Sequence, residues 1–227
     1  TVTITPSGIG ASGVRNVSDT AASNNKFTYT VTNSSNYSSI STVYGKLSVT
    51  PAAITVKSSD TPTVSKVYDG TTAGTSFVGT DDYVFEGLQG DDTLQLSAFT
   101  ATYDSADASQ YDLNNNWTAG ASKVTMTGLA INDGNYTLVT TTFDITAKIT
   151  VATLVINVVN KSVTYGGSYS FDETSGLTYG TSGANGLVAS DVGKTLAQIG
   201  ITYNVTCDYD PLSTDNTKYG VGAYDIT

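Results

Sequence analysis

The sequence predicts a β-rich chain, all-β or α+β, arranged as an elongated tandem of small antiparallel β domains of immunoglobulin-like or β-grasp-like type. Three observations predict it. Apolar and polar residues alternate with period two in "KFTYTVT", "TLQLSAF" and "GITYNVT", the pattern of half-buried strands. Charged residues make up only 13%, so Thr, Ser, Asn and Gly carry the polarity, and threonine's branched Cβ suits a pleated surface. Fifteen tyrosines against six phenylalanines fit sheets that bury a ring and leave its hydroxyl wet.

The tandem arrangement rests on self-similarity. "KLSVTPAAITV" from Lys46 matches "KITVATLVINV" from Lys148 without gaps, an offset of 102 residues. Each is preceded by an Asn-Tyr pair, Asn36-Tyr37 or Asn135-Tyr136, and before that by a lysine-led strand, "KFTYTVT" or "KVTMTG". A fixed period is the signature of repeated structural units. The 227 residues then divide into residues 1–50, the second half of a unit; residues 51–150, a complete unit; and residues 151–227, a unit without its closing hairpin. The chain opens within a strand-like run, "TVTITPS", as expected of a piece of something longer.

Within each unit, Gly-Asp-Asp, Asn-Asp-Gly and Ser-Gly clusters mark turns between strands. One segment differs. "ASDVGKTLAQIGI", Ala189–Ile201, offers Ser190 as an N-cap and spaces Val192, Leu196 and Ile199 along one helical face. The spacing predicts a short helix near 189–200, weakened by Gly193, and tilts the last unit toward a sheet gripping a helix. After strand-like runs come two tyrosine–glycine corners, "KVYDGTT" and "VTYGGSY". In the first, Tyr68 is expected to anchor a strand end, Asp69 to accept from turn amides and Gly70 to take positive φ. Tyr165 and Gly166 are expected to do the same without the acid.

Ten basic against twenty acidic residues give a net charge of −10, with Arg15 the single arginine. That excludes a nucleic-acid binder, which needs clustered cations to replace phosphate counterions, and disfavours anionic membrane surfaces. The longest apolar-rich run, Ala152–Val159, is far short of the roughly 20 residues that span a bilayer, so no membrane insertion is expected. Cys207 stands alone in a sequence without histidine; it is expected to be an inert thiol on a strand, since nothing activates it as a nucleophile.

"KVYDGTT", "GLQGDD", "VTMTGLAINDGNYTL" and "AKITVA", in that order, resemble the YDG domain of bacterial surface proteins. "VTYGGSY", "GLVASD", "ITYNV" and "VGAYDIT" resemble the related MBG domains. The likeness covers residues from about 51 to the end, and the first fifty match the tail of such a unit. The last unit departs from the MBG pattern in carrying Gly-Gly where an acidic residue usually follows Tyr-Gly. The resemblance implies a stalk or adhesive module of a large secreted or wall-attached bacterial adhesin, extracellular and without enzymatic activity.

The residues themselves leave chemistry little room. Acid pairs for glycoside hydrolysis would come from Asp81-Asp82, Glu86, Asp91-Asp92, Asp104 and Asp107, but neighbouring acids on a strand face opposite ways. Calcium is the one cofactor these acids suit. Its candidate ligands are Asp81, Asp82, Asp91, Asp92, Asp208 and Asp210, although none fits the EF-hand pattern: counted from Asp208, Ser213 and Tyr219 hold the places of the required glycine and acid. Solvated turn acids that keep the chain soluble are the preferred reading of the same residues, so no cofactor is expected. Surface stalks sometimes carry Lys–Asn cross-links beside a buried acid. Lys66, Lys123 and Asn135 lie in strand-like runs where one could form, although Lys123 also matches Lys26 as ordinary repeat scaffolding.

Two non-enzymatic readings remain. In the first, the repeats are spacers whose partners are neighbouring repeats of the parent protein. In the second, the chain binds host glycan or matrix protein through the aromatic loop 103–117, with Tyr103, Tyr111 and Trp117 as contact residues, because variable loops on rigid scaffolds carry binding surfaces. An incomplete last unit also leaves a sheet edge unpaired, which predicts head-to-tail self-association of the fragment.

Overall fold

The structure, a computed structural model, describes residues 3–10, 15–32, 41–180, 186–210 and 212–213. Asn36-Tyr37 and the end of the last unit, 214–227, where the absence of a closing hairpin was expected, lie outside the described residues. The strands are β1 (Thr3–Gly10), β2 (Lys26–Thr32), β3 (Ala52–Ser58), β4 (Ser65–Val67), β5 (Tyr83–Glu86), β6 (Ala98–Tyr103) and β7 (Gln110–Tyr111). They continue with β8 (Trp117–Ala119), β9 (Lys123–Ala130), β10 (Tyr136–Leu138), β11 (Phe143–Thr146), β12 (Lys148–Thr150), β13 (Ile156–Val158) and β14 (Leu177–Tyr179). The chain is β-rich, with small sheets of two or three strands. Two compact units form: Thr1–Val64, Gly74–Thr102 and Val124–Thr146 make the first, and Ser65–Ala73, Tyr103–Lys123 and Ala147–Thr227 the second.

In the first unit β1 pairs antiparallel with β2, with an irregularity between Ser7 and Ile9. β3 is central to a three-stranded sheet, antiparallel to β5 and parallel to β10. β9 is central to another, in the order β11-β9-β6, and β11 also packs against β3. Period-two alternation builds the core. Ile54 and Val56 of β3 and Val124 and Met126 of β9 are buried while their neighbours along the strand are not, and Ile145, Ala101, Tyr83 and Tyr136 join them. Each such aliphatic side chain contributes about 1.5–3 kcal/mol by leaving water.

In the second unit β4 pairs parallel with β12, β7 antiparallel with β8, and β13 antiparallel with β14. Its buried side chains include Tyr103, Ala121, Ile149, Leu177, Leu187 and Leu196, together with one lysine, Lys66. Cys207 is half-buried and unpaired.

The segment expected to form a helix near 189–200 folds differently. It makes two single 3-10 turns, Ala189–Asp191 and Ala197–Ile199, and Val188 rather than Ser190 stands at the N-cap, with no side-chain cap bond. Gly193 between them takes φ +86° and Gly200 closes the second at φ +81°, conformations that end a right-handed helix. The expected apolar face does not assemble: Leu196 is buried but Val192 is exposed. The described α-helix lies elsewhere, α1 (Glu173–Gly176), a single turn whose N-cap Asp172 accepts from the Ser175 amide at 3.1 Å.

Candidate functional site

The Lys66–Ala73 corner lies in the second unit and is organised by a lysine. Strand β4 alternates exposed–buried–exposed, which turns Lys66 inward with its side chain fully shielded from solvent. An interior ammonium must be saturated with acceptors. Lys66 Nζ donates to Asp69 Oδ1 at 2.7 Å, to the Thr71 carbonyl at 2.7 Å, to Thr71 Oγ1 at 3.1 Å and to the Ala73 carbonyl at 3.2 Å. It also sits 5.2 Å from the centre of the Tyr103 ring, within cation–π range. The whole loop 69–73 is thus gathered around one nitrogen.

Asp69 completes the turn from the other side. Its Oδ1 accepts from the Thr71 amide and the Thr71 hydroxyl, both at 2.9 Å. Partial burial pushes the Asp69 carboxyl up, but the bonds from Lys66 and Thr71 outweigh that and hold it below the usual carboxylate range. Gly70 follows at φ +74°. A Cβ there would lie 2.0 Å from Ser190 Oγ, so the glycine is required both by backbone conformation and by the close approach of the 188–191 turn. That turn is also tied to Tyr68, whose hydroxyl donates to Asp191 Oδ2 at 3.3 Å, while Lys194 Nζ holds Asp191 Oδ1 at 2.9 Å. Tyr68 is only half-buried; the inward-facing residue of this strand is Lys66.

The second corner is built otherwise. Tyr165 is 65% exposed and anchors nothing in the interior. Gly166, at φ +79°, sits in a β-turn closed by the Gly167 amide on the Thr164 carbonyl at 2.8 Å. With the tyrosines superposed, Val163 stands in the place of Lys66 and Gly166 in that of Asp69, so both members of the ion pair are replaced together.

The acidic candidates are dispersed and most of them have structural partners. Buried Asp82 accepts from the Thr63 amide at 2.7 Å and the Gly79 amide at 2.8 Å, while Asp81 beside it is exposed. Asp92 accepts from the Tyr136 hydroxyl at 2.6 Å, a bond that raises the tyrosine's pKa; that hydroxyl in turn accepts from the Gln89 amide at 3.0 Å. Asp91 is exposed. Asp208 and Asp210 are exposed, and Asp210 accepts from the Leu212 amide at 3.0 Å. Asp104 caps the Ser122 and Lys123 amides, and Glu86 pairs with Lys57. Among the described residues no three His, Cys, Asp or Glu side chains come together to hold a metal ion.

The aromatic loop separates into an inner and an outer part. Tyr103 is 2% exposed and offers no ring face to a ligand; burial pushes its hydroxyl up to about 12, with the Asp69 charge adding to the shift. Tyr111 and Trp117 are cross-strand partners in the β7–β8 hairpin, 46% and 49% exposed. Asp112 ties the connecting loop by accepting from the Asn114 and Asn116 amides, each at 2.8 Å, and from Asn116 Nδ2 at 3.0 Å. This loop geometry was not legible from sequence, although "YDLNNNW" carries the Asx residues that make it.

Residues 50–143 match the YDG domain. The YDG segment therefore contains the Lys66 corner, the Asp82 cap, the β7–β8 hairpin and the Tyr136–Asp92 bond. No curated protein and no solved structure matches the chain.

Proposed function

We propose that this chain is a non-catalytic repeat segment of a bacterial surface protein, extracellular and wall-associated or secreted. It acts as a spacer between neighbouring repeats and contributes to adhesion. The observation that supports the proposal is that each copy of the repeated segment begins an antiparallel strand pair. Ile54–Val56 lie in β3, which pairs antiparallel with β5; the corresponding Ile156–Val158 form β13, which pairs antiparallel with β14. In both, a tyrosine–glycine corner follows the first strand and one helical turn, Thr80–Asp82 or α1, runs directly into the returning strand. The pairing also ends alike, Ser59 N on the Asp82 carbonyl at 3.0 Å and Val159 N on the Gly176 carbonyl at 2.8 Å.

The acids add support, because Asp69, Asp82, Asp92 and Asp104 all hold backbone or hydroxyl donors of the scaffold. For Asp69 and Asp104 these bonds outweigh burial and hold the carboxyls below the usual range, which weakens them as bases. Protease shaving of intact producing cells tests the location: release of peptides from residues 41–180 is expected, and recovery from the cytosolic fraction alone overturns it. Head-to-tail self-association of this chain belongs to the proposal, and sedimentation velocity across a concentration series tests it: a rising weight-average mass is expected, and a constant monomer mass overturns it.

A further inference from the structure

We propose that the β7–β8 hairpin is a binding site for neutral pyranose sugars, with Tyr111 and Trp117 as the stacking platform. Direct cross-strand partners in an antiparallel pair project their side chains on the same face, and Tyr111 is opposite Trp117. Both rings are about half exposed and Leu113 between them is fully so. Aromatic surface left in water at a loop tip is costly unless something covers it.

The occupant follows from size, polarity and charge. Three side chains are too few for a protein partner, which needs about 800 Å² on each side. They match the apolar face of one or two sugar rings. The same hairpin carries exposed amides, Gln110, Asn114 and Asn115, each with both a donor and an acceptor for hydroxyl groups. A net charge of −10 repels sialylated or sulfated glycans, so the fitting class is neutral. The platform is also set in advance: Asp112 holds two loop amides and the Asn116 side chain, Asp112 N bonds the Asn116 carbonyl at 2.9 Å, and Asn115 is locked at φ +63°. A loop already ordered loses little further freedom on binding.

Trp117 is the one tryptophan in the chain, so its emission reports the site directly. The intact chain is titrated with neutral β-linked gluco-, galacto- and N-acetylglucosamine oligosaccharides and with sialylated and sulfated counterparts. A blue shift of Trp117 emission with the neutral set alone is expected. Tyr111→Ala should weaken binding at least about tenfold by the same readout, and Asp112→Ala should weaken it while leaving Trp117 in place. For Trp117→Ala, saturation-transfer NMR observed on the sugar should show the signal lost, with an unchanged melting temperature showing that the fold persists. Unchanged emission and no saturation transfer up to about 10 mM neutral sugar, binding retained in both aromatic variants, or a preference for the anionic set overturns the proposal. Any of these results leaves the spacer reading untouched.

Discussion

Lys66 Nζ lies 2.7 Å from Asp69 Oδ1, with the lysine side chain wholly buried and the aspartate side chain 46% exposed. The pair is therefore asymmetric. The lysine is the structural centre of the corner, and the aspartate joins it to the solvent-facing turn.

Replacing Lys66 by Met should destabilise the protein by about 2–4 kcal/mol, because the Thr71 and Ala73 carbonyls lose the ammonium donor and Asp69 loses its countercharge. Asp69→Asn should cost about 1 kcal/mol, since an amide oxygen still accepts from the Thr71 amide. Urea denaturation measures both. Equal midpoints for the wild type and Lys66→Met would contradict the lysine-centred corner.

Gly70→Ala meets two separate obstacles, a positive φ and the Ser190 side chain. The backbone part should cost about 1–2 kcal/mol, with the clash adding to it. Ser190→Gly should relieve the clash and not the backbone strain. A double-mutant cycle should therefore show coupling between the two positions, and strict additivity would mean that the turns do not touch in solution.

Asp82→Ala should cost about 2–3 kcal/mol, leaving the Thr63 and Gly79 amides without their carboxylate. Chelator and added calcium should leave the melting temperature of the wild type unchanged, because this carboxylate is committed to backbone donors. A calcium-dependent rise that Asp82→Ala abolishes would instead make Asp82 a metal ligand.

Stability should fall at both ends of the pH scale. Asp69, Asp104 and Asp112 have folded pKa values held below the ordinary 3.8, mainly by hydrogen bonds to Lys66, Ser122 and Asn116 that outweigh burial. Their contribution is complete above that value and is lost as pH falls through the lower, folded values. Tyr103 is shifted the other way, from 10.0 to about 12. Its contribution is complete below 10 and is lost as pH rises toward 12. Circular dichroism melts across pH 2–12 should show a plateau between these limits, and Tyr103→Phe should flatten the alkaline arm.

The strands β3 and β9 were legible because period two needs no tertiary information: a side chain on one face of a pleat is buried if that face is. The same alternation in "TLQLSAF" and "GITYNVT" makes no strand over Thr93–Ser97 or Gly200–Thr206, which are irregular and belong to no sheet among the described residues. The Asp69-Gly70 turn was legible for a similar reason, since its amide bond and positive φ are local. The Ala189–Ile201 helix misled because its apolar spacing is real, yet Gly193 takes positive φ and Asp191 is held by Tyr68, a partner 123 residues away. Nor did sequence distinguish Tyr103, buried under Lys66, from Tyr111 and Trp117 on the hairpin, since all three belong to one aromatic loop.

By itself the amino-acid sequence determined a β-rich chain with glycine-bearing corners and a net charge of −10. Those properties depend on neighbours one to four residues apart and on composition. Only the tertiary structure decided that Lys66 rather than Tyr68 is the interior residue of its corner, that Asp82 is a buried cap, and that Tyr111 and Trp117 share an exposed face. Each depends on which distant segment covers a side chain, and desolvation, not local pattern, assigns a lysine, an aspartate or a tyrosine its role.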